Sequence, residues 1–124
     1  MERKITKIDI ITRPNKLEEL KDALNKIGVL GMTVSQVYGC GLQRGHKEIY
    51  RGKEYDVNLV PKIKLETVVC EIPVEKVLEV AQKVLRTGKF GDGKIFVYEL
   101  LDAVRIRTGQ RGAEAIMDIP GEKF

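Results

Sequence analysis

The apolar and polar positions alternate between two periods along this chain. Residues 4–12 (KITKIDIIT) are β-branched and partly alternating, with Ile8 and Ile10 on one face, which predicts a strand. Arg13-Pro14 breaks it, and Asn15 then opens a helix with Glu18 three residues on, in capping-box position. Leu17, Leu20, Leu24 and Ile27 form one apolar stripe at helical spacing, which Gly28 and Gly31 stop. Residues 32–39 (MTVSQVYG) return to strand character.

The second half repeats the pattern. In residues 59–72 (LVPKIKLETVVCEI), Lys62, Lys64 and Glu66 alternate against Ile63, Leu65 and Thr67, a half-buried strand. Pro73 sits where the first turn of a helix tolerates it; Val77, Val80, Ala81 and Val84 give the buried stripe, and Gly88 ends it. Residues 94–101 (KIFVYELL) form a strand, and 102–107 (DAVRIR) are candidates for a short extra one. Strand–helix–strand, a long connection, then strand–helix–strand is the order of an α+β, ferredoxin-like sandwich (double βαβ) with both helices on one face of an antiparallel sheet. Many unrelated activities share that fold.

At 124 residues the chain has the size of a single domain (1–124), and 43% hydrophobic with 32% charged residues suits a compact soluble one. No apolar run approaches the roughly 20 residues a bilayer span needs. The charged start MERKITKID is unlike a secretory signal. Lys+Arg 22 against Asp+Glu 18 leaves +4, which suits a small anionic ligand better than nucleic acid. Cys40 and Cys70, without a CxxC, fit a reducing cytoplasm rather than a disulfide or zinc scaffold.

The connection at 40–58 (CGLQRGHKEIYRGKEYDVN) shows neither sustained helical nor sustained strand periodicity. Connections beyond about 12–15 residues are usually functional or disordered. This one reads either as a solvated excursion or as a recognition arm whose charges and tyrosines, Tyr50 and Tyr55, meet another protein. At its base, Gly39, Gly41 and Gly45 would let backbone N–H groups close on an anion, although they do not form a dinucleotide fingerprint.

Residues 88–95 (GKFGDGKI) nearly spell a P-loop, but Ile95 replaces the magnesium-binding Ser or Thr, and a strand follows instead of a helix. Two readings remain, an ordinary tight turn or a phosphate cradle. In the second, Gly91 and Gly93 allow close backbone approach and Lys94 supplies a point charge. Arg105 and Arg107 would share one face of a strand, either on a solvated edge or as partners of a polyanion. His46 has no metal-ligand cluster around it, and no nucleophile–base set is evident, so the pattern is not that of an enzyme.

In this order the pieces resemble the PII signal-transduction family of nitrogen regulators, from about Lys4 to Thr108. The run from Thr87 to Val97 (TGKFGDGKIFV) fits the family's C-terminal signature, and Tyr50 to Tyr55 (YRGKEY) resembles the tip of its T-loop. Gly31 to Val34 and Pro61 to Lys64 also fit.

The resemblance implies a cytoplasmic homotrimer with ATP or ADP in clefts between subunits, joined by 2-oxoglutarate through Mg2+ and ATP. It implies that Thr33 and Val68 line the adenine end, and that Gly91, Asp92, Gly93, Lys94, Arg105 and Arg107 hold phosphates. Gly41, Leu42 and Gln43 would adjoin the nucleotide; Gln43 would also help ligate magnesium, and Gly45 and Lys62 would meet the oxoacid. Tyr50, Arg51 and Tyr55 would contact partners: an ammonium transporter, glutamine synthetase, a nitrogen transcription factor or nitrogenase machinery. The membrane is reached only through a transporter, and nucleic acid is not touched directly.

Two departures qualify this. Leu42 stands where many members carry a phosphate-reaching arginine, which weakens ATP-specific recognition. Lys53 replaces the small residue usual beside the tyrosine that some members have uridylylated, which leaves modification of Tyr55 open. A tail at about 109–124 follows the signature. Two rival classes are a nucleotide-utilising enzyme of ferredoxin-like fold and an RNA-binding domain. The first lacks a water-positioning base and the second a matched aromatic platform.

Overall fold

The structure is a computed structural model that describes residues 4–40, 47–50, 53–56 and 59–117, the two short segments 47–50 and 53–56 by their backbone alone. Strand β1 (Ile5–Thr12) leads through a 3-10 turn (Pro14–Lys16) into helix α1 (Leu17–Lys26) and strand β2 (Thr33–Cys40). Strands β3 (Lys47–Tyr50) and β4 (Lys53–Asp56) follow, then β5 (Leu59–Val69), helix α2 (Val74–Leu85), β6 (Lys94–Leu100) and the short helix α3 (Ala113–Ile116).

The four long strands form one antiparallel sheet in the order β2-β5-β1-β6. This is the ferredoxin-like arrangement expected from the double βαβ pattern. Ile8 and Ile10 of β1 and Ile63, Leu65 and Val69 of β5 face the helix layer. There they meet Leu20 and Leu24 of α1 and Val77, Ala81 and Leu85 of α2, all buried. The spacing rule is therefore obeyed on both helices, with their apolar stripes turned to the same side of the sheet.

Four local expectations are corrected. The helix does not start at Asn15, and no capping box forms: Arg13 caps a 3-10 turn without a side-chain bond, and α1 begins only at Leu17. Its other end is a Schellman motif, in which Val29 N–H bonds Leu24 O at 3.0 Å and Gly28 N–H bonds Asn25 O at 3.0 Å, with Gly28 at φ 94°. The long connection does contain strands: β3 and β4 pair as a two-stranded antiparallel ribbon, Lys47↔Asp56 through Tyr50↔Lys53. Residues 102–107 are not a strand but one limb of a tight loop closed by a single bridge, Val104↔Arg111. Helix α2 also ends at Leu85, before Gly88.

Neither α1 nor α2 covers the opposite face of the sheet. At its centre Lys7, Asp9, Lys64 and Glu66 form one array, each lysine within 4 Å of both carboxylates: Lys7 Nζ at 3.5 Å from Asp9 and 3.6 Å from Glu66, Lys64 Nζ at 3.9 and 3.0 Å. Glu66 holds the Lys64 ammonium above its ordinary pKa, and Lys64 holds the Glu66 carboxyl below its own. Tyr98 of β6 lies 5.4 Å from the Lys7 ammonium, ring centre to nitrogen. Asp9 is only 3% exposed although it sits on the uncovered face.

Candidate functional site

The glycine-rich segment between α2 and β6 is a turn built around one carboxylate. Asp92 accepts from the Thr87 hydroxyl at 2.5 Å, the Thr87 N–H at 2.9 Å, the Gly88 N–H at 3.0 Å and the Arg13 guanidinium at 2.5 Å. Those bonds, Thr87's hydroxyl first and then Arg13, hold its carboxyl far below the usual carboxylate range. The turn's carbonyls are tied down as well. Arg13 donates to Phe90 O at 2.7 Å, Lys62 Nζ to Gly91 O at 2.7 Å, and the Thr12 hydroxyl to Asp92 O at 2.8 Å.

Glycine is required at the point of closest approach. A Cβ on Gly93, at φ 106°, would stand 1.8 Å from the Ile11 carbonyl oxygen. The turn is thus pressed against the end of β1 and brings Arg13, Lys62 and Lys94 to the same end of the sheet, the end from which the arm leaves. With Asp92 consumed internally, the cations and the backbone are what this corner presents to an anion. A groove of about 440 Å³ runs beside it, lined by apolar Leu78, Leu85 and Val97 and by charged Arg86, Asp92 and Lys94.

The remaining candidates lie elsewhere. Thr33, at the start of β2, pairs with Glu66, and Val68 of β5 pairs with Lys7, so both sit at the far end of the face that α1 and α2 leave uncovered. Arg105 and Arg107 follow β6 beyond that same end. They do not share a strand face: Arg107 occupies the apex of the loop, and Arg105 turns its guanidinium onto the carbonyls of Ala115, at 3.2 Å, and Met117. Gly41, Leu42, Gln43, Gly45 and Arg51 lie outside the described residues, as do the side chains of Tyr50 and Tyr55.

Comparison with known proteins decides the family. The family model "Nitrogen regulatory protein P-II" matches residues 5–110. The chain belongs to the PII family. A nitrogen regulatory PII-like protein of Bacillus subtilis is 49% identical over 116 residues, which cover 94% of this chain and 100% of that one. Among solved structures, a GlnK–ATP complex from B. subtilis is 46% identical with TM-score 0.78, covering 93% of this chain and 98% of that one. A PII protein of Arabidopsis thaliana bound to citrate is 40% identical with TM-score 0.72, covering 91% and 92%.

Within the PII frame, the sequence gives no sign of the part Arg13 plays in the corner, since it reads as a strand breaker beside Pro14. Thr87 and Asp92 stand in the signature, and the structure adds that they bond each other and close the turn. The bonds of Asp92 to Thr87 and Gly88 are local in sequence, whereas Arg13 comes from 79 positions away. A carboxylate flanked by glycines, Gly91-Asp92-Gly93, was the one available signal, since an Asp there readily bonds nearby N–H groups.

Proposed function

We propose that this chain is one PII domain over residues 1–124, a cytoplasmic nitrogen, carbon and energy regulator that works as a homotrimer. It binds ATP or ADP in clefts between subunits, takes up 2-oxoglutarate with Mg-ATP, and controls partner proteins through its arm at 40–58. It acts by binding and not by turnover.

The observation that carries the reading is where the candidate ligands lie along the sheet. Lys62, Gly91, Gly93 and Lys94 occupy one end; Thr33, Val68, Arg105 and Arg107 occupy the other. From Lys62 to Val68 is six residues of strand. At about 3.3 Å per residue that is roughly 20 Å, too far for one nucleotide's phosphates to touch the cations at both ends. The two half-sites complete each other only when one end of a chain meets the other end of a neighbour. Such a head-to-tail contact forms a ring where its rotation closes, and the sheet face that α1 and α2 leave uncovered, with its desolvated Asp9, supplies an inward side for it. In the cleft, Lys94 neutralises phosphate as a point charge, while the arginines offer a planar fork.

The B. subtilis GlnK–ATP complex and the citrate-bound Arabidopsis PII support a nucleotide and a polycarboxylate as ligands. Magnesium fits this donor set. Among the described residues no three His, Cys, Asp or Glu side chains gather, and Asp92 is spent on the turn. A cation-rich corner of this kind takes a metal that arrives on polyphosphate and oxoacid oxygens, with Gln43 as its side-chain ligand and Lys62 opposite the distal carboxylate. Bound there, magnesium supplies charge neutralisation and a bridge between the two ligands. Both ends of the arm then attach to one site, so its conformation follows the ligand state, and partners such as an ammonium transporter or glutamine synthetase read that state. Nucleic acid has no part in it.

Titration calorimetry with ATP, ADP and 2-oxoglutarate, with and without magnesium, tests the reading alongside sedimentation equilibrium. The expected result is a trimer mass, nucleotide binding by each chain, and 2-oxoglutarate uptake only with Mg-ATP. A monomer at micromolar concentration, or oxoacid binding indifferent to nucleotide, would overturn it.

A further inference from the structure

We infer that Asp102 and Arg111 are positioning residues for nucleotide phosphate, a clasp that closes the loop 102–112 and so aims Arg105 and Arg107. The inference builds on the reading above, in which that loop supplies half of the phosphate-binding cations.

Within its own chain the loop has almost no apolar anchorage. Leu101 and Ile106 are fully exposed, and Val104 is more than half exposed. The contacts that shape it within the chain are therefore polar. The Asp102 carboxylate accepts from Arg111 through Nε at 2.8 Å and through Nη2, and from the backbone N–H groups of Ala103 at 2.8 Å and Gly112 at 3.1 Å. An exposed ion pair alone contributes little. Here one carboxylate ties a forked guanidinium and both limbs of the neck together, which fixes geometry as well as charge. Above the neck, Val104 bridges Arg111, Arg105 N–H bonds Gln110 O at 2.9 Å, and Gly109 N–H bonds Arg105 O at 2.7 Å. Arg107 lies in the apex that these bonds enclose.

The clasp also governs the Arg105 side chain. Gly112, held by Asp102 and by Ala103 O at 2.9 Å, turns the chain at φ 62° into α3, whose end presents the Ala115 and Met117 carbonyls to the guanidinium. Opening the neck frees both the backbone under Arg105 and the segment against which its side chain rests. These effects reach the nucleotide only through the arginines, because Asp102 itself is anionic and would repel phosphate on direct contact.

The test compares Asp102→Ala, Arg111→Ala, Arg105→Ala and Asp102→Ala/Arg105→Ala in the full-length protein, titrated with ADP and with adenosine. Each single change at the clasp should weaken ADP binding about three- to tenfold, the scale of one ordinary hydrogen bond and less than the direct loss of a charged contact, because the clasp acts through the arginines. Adenosine, which has no phosphate, should bind as it does to the parent. The Asp102 change should cost less once Arg105 is gone, what remains being the share that acts through Arg107, since residues acting through one another are not additive. Arg111→Ala keeps the backbone bonds of Asp102, so it remains informative should Asp102→Ala disturb folding. Parent-like ADP affinity in both clasp variants, equal losses for ADP and adenosine, or additive losses with Arg105→Ala would overturn the inference. Parent-like ADP affinity in Arg105→Ala alone would instead overturn the assignment of this loop to phosphate, and the clasp inference with it.

Discussion

Arg13 and Asp92 stand 79 positions apart in the chain, and their guanidinium and carboxylate meet at 2.5 Å. The contact joins the exit of β1 to the turn before β6, at the corner where Lys62 and Lys94 also lie. The partners of this carboxylate account for its place among the cations. Four donors satisfy it, one of them the charged Arg13 guanidinium.

The pH behaviour of that corner follows from its sign. A carboxyl whose folded pKa is depressed contributes stability that is complete above its unfolded value, 3.8 here, and is lost as pH falls through the folded value. Hydrogen-exchange protection of the Thr87 and Gly88 amides should therefore be flat from about pH 5 to 8 and fade only below about pH 4. In Asp92→Ala that protection should be absent throughout. Acid-independent protection would show that the turn does not depend on this carboxylate.

Gly93→Ala places a methyl group 1.8 Å from the Ile11 carbonyl oxygen at a positive φ, so backbone must move. A loss of about 2–4 kcal/mol in urea unfolding is expected. Gly88→Ala is the control: its φ is 84°, but nothing lies within 4 Å of the added carbon, so only conformational strain of about 1–2 kcal/mol is expected. Equal costs would mean that the Ile11 contact is unimportant.

Both helix stripes and the alternation of β5 were legible because burial there is continuous over whole elements. Leu20, Leu24, Val77 and Ala81 are where helical spacing put them. The failures share a physical cause. Asn15 had the chemistry of a cap, but Pro14 with its fixed φ initiates a 3-10 turn first, and the helix starts one residue later than the capping box requires, with Lys16 at the cap position. Strands β3 and β4 are four residues each, too short for a period to declare itself. Arg105 and Arg107 alternate as a strand would, yet Asp102 and Gly112 close the loop before a strand can form. At the glycine turn, the motif was plain in sequence, whereas Arg13 could be placed only once the sheet brought β1 beside β6.

Lys62 donates to Gly91 O at 2.7 Å and so links the far end of the arm to the turn. Lys62→Ala should weaken 2-oxoglutarate binding in the presence of Mg-ATP by tenfold or more, about 1.4 kcal/mol or above, while changing ADP affinity much less. Calorimetry reads both, and equal losses for the two ligands would assign Lys62 to the turn alone.

Leu24 is wholly buried between the helix layer and the sheet. Leu24→Ala should cost about 2–5 kcal/mol, as core truncations do, with the urea m-value unchanged. A cost under about 1 kcal/mol would mean that the site collapses around the smaller side chain.

On the proposed cleft, the placement of its two halves at opposite ends of the sheet has a genetic consequence. A subunit damaged only at Lys94 still offers an intact loop to one neighbour, and a subunit damaged only at Arg105 still offers an intact turn to the other. Neither variant alone can build a working cleft, but a mixed ring places the sound turn of one against the sound loop of the other. Two inactive alleles expressed together should thus restore part of the binding that each lacks, and a double variant damaged at both ends should rescue neither of them.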